Sequence, residues 1–153
     1  MVYAVEAIGH VRGGRRLPTD DGCGASQARI DLDETRFTAE SLAGLEQFSH
    51  AEVIFLFHRL GPDEIETGAR RPRGRFDWPR VGIFAQRGKG RPNRLGSCVV
   101  RVASVEGASV NVEGLDAIDG TPVLDIKPMM KGFLPRGEIL EPAWAAEIMK
   151  DYW

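Results

Sequence analysis

Apolar and polar positions in this chain alternate over short runs, and Gly or Pro punctuates nearly every break. A period of two is the mark of a half-buried strand. Residues 2–11 read as a first strand that ends at Gly13-Gly14, and residues 15–26 as a long loop with Pro, Gly and Asp but no periodicity. Ala28, Ile30 and Leu32 alternate with polar neighbours and predict a second strand. Thr38 is placed to cap a short helix over 39–47, with Leu42 and Leu45 facing inward. Residues 51–57 are nearly all apolar and β-branched or aromatic, which predicts a strand buried on both faces, closing at His58-Arg59.

Further strands are expected at 81–85, 97–103, 109–114 and 123–126. Ile118-Asp119-Gly120-Thr121 forms an Asp-Gly turn before the last of them. Residues 61–80 hold three prolines and five arginines and read as an exposed, mobile loop. Pro142 opens a terminal helix through residue 150, with Trp144, Ile148 and Met149 as its apolar stripe. Strands dominate, and no sustained strand–helix alternation is present. The expected fold is therefore mainly β: a closed or nearly closed antiparallel β-barrel with one or two short helices, residues 1–153 forming a single domain. That architecture disfavours the doubly wound nucleotide-binding sheet.

Charge sharpens this picture. Residues 70–94 carry nine of the twenty basic residues against one acid, Asp77, so a formal net charge of −2 conceals a strongly positive stretch. A positive loop on rigid strands suits an anionic partner such as nucleic acid or a phosphorylated ligand. No apolar run reaches the ~20 residues needed to span a bilayer, so no membrane partner is expected. The N-terminus lacks the pattern of a signal peptide. Cys23 and Cys98 have no metal-type spacing, and Cys98 lies in an apolar strand pattern, as a buried inert thiol does. No metal site is expected, and a reducing, cytoplasmic setting follows from free thiols.

The loop Gly88-Lys89-Gly90-Arg91-Pro92-Asn93-Arg94-Leu95-Gly96 invites a phosphate-loop reading and fails it. Gly90 stands where Ser or Thr must follow the Lys, and a strand rather than a helix comes next. It is either a solvated hairpin or an anion-binding loop whose glycines admit a ligand to the backbone. His58 is either structural or a polar group at the barrel mouth. Asp119 is either a turn residue or part of a site. Asp125, in an otherwise apolar strand, either pairs with Lys127 or serves as a site carboxylate. No nucleophile elbow or paired-carboxylate spacing is present.

Four segments together resemble the TsaA-like family: Ile8-Gly-His-Val-Arg12; Gly44-Leu-Glu-Gln-Phe-Ser-His50 through His58; Val81-Gly-Ile-Phe-Ala-Gln-Arg87 with Arg91-Pro-Asn93; and Gly114-Leu-Asp116 through Pro128. The resemblance runs in order along nearly the whole chain. It implies a β-barrel, commonly homodimeric S-adenosylmethionine-dependent methyltransferase that N6-methylates threonylcarbamoyladenosine beside the tRNA anticodon. It assigns His58, Arg59, Arg87, Ser97, Ile118, Asp119, Gly120 and Thr121 to the cofactor, with the loop near Thr19–Gly22 close by. Lys89, Arg91, Asn93 and Arg94 are then expected to position the RNA, and Asp125 is the one candidate general base. Many relatives read Ala-Thr-Arg-Ser where this chain has Ala-Gln-Arg-Gly, and Arg-Pro-Asn-Pro-Ile-Gly where it has Arg-Pro-Asn-Arg-Leu-Gly. Longer members carry an additional C-terminal domain that these 153 residues do not include. A non-catalytic S-adenosylmethionine- or RNA-binding module, and a methyltransferase for a small molecule, are the competing readings.

Overall fold

Strands with one apolar face bury it most completely when the sheet curls shut, which also removes the unpaired edges that invite aggregation. That solution is seen in a computed structural model describing residues 1–153. The strands are β1 (Gly9–Arg12), β2 (Gln27–Leu32), β3 (His50–Leu56), β4 (Ala69–Arg70), β5 (Val81–Gly82), β6 (Leu95–Glu106), β7 (Ser109–Glu113) and β8 (Pro122–Pro128). Six of them close into a barrel in the order β1-β2-β7-β6-β3-β8, every neighbouring pair antiparallel. The short pair β4–β5 forms a separate two-stranded sheet. One α-helix, α1 (Ala143–Met149), follows the barrel. No helix is long and apolar enough to cross a membrane.

Alternate residues fill the barrel. Val11, Ile30, Val53, Phe55, Val100, Val110, Val112 and Val123 are all essentially inaccessible. Leu42 and Leu45 plug the end to which β2 and β8 run. Phe55 lies opposite Gly96 in the β3–β6 register, and a Cβ at position 96 would approach the Phe55 ring to 2.3 Å. The largest core side chain therefore fits because its cross-strand neighbour has none.

Several expectations change. The first strand is only Gly9–Arg12, and residues 1–6 are exposed without partners in the sheet. Residues 39–47 form two 3-10 turns rather than one helix, because Gly44 between them takes a left-handed conformation at φ 90°. Thr38 does cap the first turn, and Leu42 and Leu45 are buried. β3 alternates buried and partly buried positions, so it is covered on one face, not both. Residues 81–85 split into β5 and a 3-10 turn at Ile83–Ala85.

Residues 61–80 are a folded flap, not an exposed mobile loop. Their β4 pairs with β5, and Trp78 is buried with its indole N–H donating to Glu147 of α1 at 2.8 Å. Arg75 stacks 4.1 Å over the Trp78 ring. On α1, Trp144 and Ile148 are half-buried while Met149 faces solvent.

Gly96→Ala is expected to lower stability by roughly 1–3 kcal/mol, the usual cost of overpacking a rigid core. Gly82→Ala, at φ −57° with nothing within 4 Å of the new methyl, should change it by less than about 0.5 kcal/mol. Urea unfolding midpoints of the two variants check this contrast.

Candidate functional site at one rim of the barrel

Antiparallel closure sorts the loops into two groups. The C-terminal ends of β1, β3 and β7 and the N-terminal ends of β2, β6 and β8 share one rim. His58 and Arg59 follow β3 there, Arg87 to Arg94 lead into β6 and Ser97, and Ile118 to Thr121 lead into β8. All the residues assigned to cofactor or RNA by resemblance therefore lie at, or in the loops entering, this rim. Asp125 does not. It stands further along β8 and lines a pocket with Leu42 and Leu45, at the end of the barrel that those residues plug. It pairs with Ile54, accepts the Ile126 N–H at 2.9 Å and forms an ion pair with Lys127. Of the two readings of Asp125, the structure supports the structural pair, and it removes the candidate base from the rim.

The turn at Asp119 is bolted to β1. Thr121 N–H donates to Ile118 O at 3.1 Å, with Gly120 at φ 80° as a side chain would resist. Asp119 N–H donates to Arg15 O at 2.7 Å, Gly120 N–H to Val11 O at 2.8 Å, and Gly13 N–H to Asp119 Oδ1 at 2.9 Å. The Asp119 carboxylate thus holds its own loop with one oxygen, while the residue remains exposed. His58 is half-buried. Burial, then the Arg59 charge beside it, hold its pKa below the ordinary imidazole value, so it is neutral near pH 7.

The loop before β6 hangs on Gln86. This buried carboxamide donates to Arg70 O at 3.0 Å and Val81 O at 2.8 Å, tying β4 to β5. Arg91 donates to Gln86 O at 3.1 Å, and Arg94 to Leu60 O at 3.0 Å. Both are half-buried, and each braces the loop through one Nη1. Arg94 has φ 53°. Arg87 is exposed and donates to Ser97 O at 2.7 Å; the Ser97 hydroxyl donates to Glu52 at 2.5 Å. Lys89 and Asn93 are exposed.

A second cluster at this rim has little sequence signal. Asp116 accepts from Arg15 at 2.9 Å through Oδ1 and from the Tyr152 hydroxyl through Oδ2, with the Cys23 sulfur 3.5 Å from Oδ1. Gly22 and Cys23 N–H donate to Asp151 O and Tyr152 O at 3.0 and 2.7 Å, and Arg73 of the flap pairs with Asp21 at 2.7 Å. The loop expected beside a cofactor is thus packed against the last residues of the chain. Burial, then the Asp116 charge, push the Cys23 thiol up to about 11; burial pushes Cys98 up to about 11 as well. Burial and Asp116 also raise the Tyr152 phenol well above its ordinary value.

Comparison with known proteins places these features in a lineage. A family model described as the tRNA-methyltransferase O N-terminal domain matches residues 14–133. A human protein named tRNA (adenine(37)-N6)-methyltransferase is 35% identical over 122 residues, 78% of this chain and 27% of that protein. An Escherichia coli protein of the same name is 37% identical over 112 residues, 71% of this chain and 46% of that one. The crystal structure of TrmO from Pseudomonas aeruginosa superposes with a TM-score of 0.75 at 29% identity, covering 94% of this chain and 62% of that chain. The chain spans about a quarter to a half of the length of these two relatives.

Two outcomes are expected. Asp116→Ala should cost roughly 1–3 kcal/mol by stranding the Arg15 and Tyr152 donors, and its effect should be non-additive with Tyr152→Phe in a double-mutant cycle read by urea unfolding. The raised thiols stabilise the fold below about pH 9, and that contribution is lost as pH rises towards about 11. Both cysteines should therefore resist a disulfide reagent at pH 8 in the native protein and react fully in urea, with stability falling above pH 9.

Proposed function

We propose, because the chain belongs to the tRNA-methyltransferase O N-terminal domain family, that it is an S-adenosylmethionine-dependent methyltransferase acting on tRNA. The acceptor in this reading is N6 of threonylcarbamoyladenosine beside the anticodon, and residues 1–153 act as one barrel domain. The observation that carries it is the gathering at one rim of His58, Arg59, Arg87, Ser97 and the Ile118–Thr121 turn, beside the exposed Lys89 and Asn93.

S-adenosylmethionine, when bound, supplies a methyl group made electrophilic by a sulfonium centre. The donor set at the rim fits that molecule. Arg87 offers an exposed guanidinium suited to a carboxylate. The second oxygen of Asp119 and the backbone of its turn suit polar edges. His58, held neutral, adds no positive charge beside a sulfonium. The chain's part in the transfer is alignment and exclusion of water, for which a closed barrel is a rigid frame. Asp125 is paired with Lys127 and lies away from the rim, and no base is demanded at the outset, because the acceptor nitrogen becomes acidic once it is methylated and sheds its proton after attack.

A second copy of the chain belongs to this reading, supported by the exposed apolar side chains Phe133, Leu134, Ile139 and Leu140 between β8 and α1. The free thiols Cys23 and Cys98 support a reducing compartment such as the cytoplasm. The reading requires no metal.

Calorimetry should detect S-adenosylmethionine binding, weakened about tenfold or more in Arg87→Ala, the scale of one charge-assisted hydrogen bond. No binding at millimolar ligand overturns the proposal. Mass spectrometry of tRNA nucleosides from a deletion strain should lose the methylated threonylcarbamoyladenosine peak; an unchanged peak removes this acceptor and leaves the enzyme class.

A further inference from the structure

Of the nine basic residues in 70–94, seven arginines have an acceptor. Arg71 donates to the Phe76 and Trp78 carbonyls, Arg73 to Asp21, Arg75 to Asp77 and Arg80 to Ala69 O. Arg87, Arg91 and Arg94 donate to the carbonyls of Ser97, Gln86 and Leu60. The two left over are Arg70 and Lys89. Arg70 lies against the loop that carries Lys89: a Cβ on Gly88 would come within 2.4 Å of Arg70 Nη2, and one on Gly90 within 3.4 Å of Nη1. The Arg70 guanidinium therefore lies against the Gly88-Lys89-Gly90 backbone, where a side chain at position 88 would displace it.

This slot is rich in unused donors. Arg70 Nε is buried without a hydrogen-bond partner, and no ion pair includes Arg70. The backbone N–H groups of Gly88, Lys89 and Gly90 donate to no backbone carbonyl. Buried donors left unpaired cost free energy, and a half-buried cation costs more. A planar guanidinium beside consecutive free N–H groups matches the oxygens of a phosphate. A nearby carboxylate would quench the charge, and none lies within ion-pair distance. Gln86 fixes the slot by binding the Arg70 carbonyl at 3.0 Å.

We propose that Arg70, Lys89 and the free N–H groups of residues 88–90 form a binding site for one backbone phosphate of RNA. This rests on the tRNA reading above and changes which residues do the positioning. Arg91 and Arg94 brace the loop, and Arg70 and Lys89 hold the strand that the rim receives.

The site is tested on the full chain with inorganic phosphate as probe, followed through the Arg70 Nε–Hε NMR resonance, and in parallel by tRNA binding across a salt series. Phosphate should shift the resonance saturably, and Lys89→Gln, an exposed change that leaves the fold intact, should weaken that response several-fold. Arg70→Gln should lower tRNA affinity and reduce the log–log salt slope by about 0.7–0.9, the share of one phosphate. Arg70→Lys should keep the slope while losing affinity. Arg101→Gln, which removes one charge from the barrel wall, should leave the phosphate response unchanged. An unmoved Arg70 resonance, or an unchanged salt slope in Arg70→Gln, overturns the proposal. Loss of S-adenosylmethionine affinity in Arg70→Gln also overturns it, by assigning the guanidinium to the cofactor. A phosphate response in a protein that binds no tRNA overturns the RNA source and the tRNA reading together; tRNA binding indifferent to Arg70 overturns only this site.

Discussion

Closure of the sheet by β8 is the constraint on which the rest of this molecule depends. β8 lies between β1 and β3, pairing with both, and converts a ribbon of short strands into a cylinder without edges. None of the strands is long enough to be stable alone, and β1 has only four residues. The cylinder fixes an interior just wide enough for side chains, which Phe55 fills against a glycine. It also decides, by the alternation of strand direction, which loops meet. Residues as far apart as Arg15, His58, Arg87 and Asp119 come to share one rim for that reason.

The basic stretch of the sequence divides once the structure assigns acceptors. Most of its arginines work inside the protein: Arg73 ties the flap to the 15–26 loop, Arg75 covers Trp78, and Arg91 and Arg94 clamp backbone carbonyls. Arginine suits such bracing because its planar fork reaches carbonyls in fixed directions while its charge stays partly hydrated. Excess positive charge in a sequence thus overstates the charge available to a partner. What remains is small and local, and its position between Gly88 and Gly90 is set by the residue that would be expected to matter least, the buried Gln86.

The barrel was legible because β2, β3 and β7 each alternate in a period that burial repeats residue by residue. The Asp-Gly turn and the capping role of Thr38 were legible from local chemistry. The rim gathering was legible through family likeness, not through spacing. Other features were opaque for physical reasons. Trp78 sits in an Arg-rich, aperiodic segment, and tertiary contacts such as its bond to Glu147 and the Arg73–Asp21 pair make that segment a folded flap. Asp116 acquires its importance from Arg15 and Tyr152, distant along the chain, and no local pattern encodes such a meeting. Asp125 looked exceptional in an apolar strand, yet β8 is only partly covered there and Lys127 satisfies it.

The left-handed backbone at Arg94 limits which residues the loop can accept. A proline ring confines φ to about −65°, so the residue common among relatives at this position cannot enter the conformation found here, at φ 53°. Proline at this position would therefore force the chain around Arg94 onto another path and remove the Arg94 clamp on Leu60. The clamp and the left-handed turn thus come as one unit, and a substitution at position 94 is a change of backbone path before it is a change of charge.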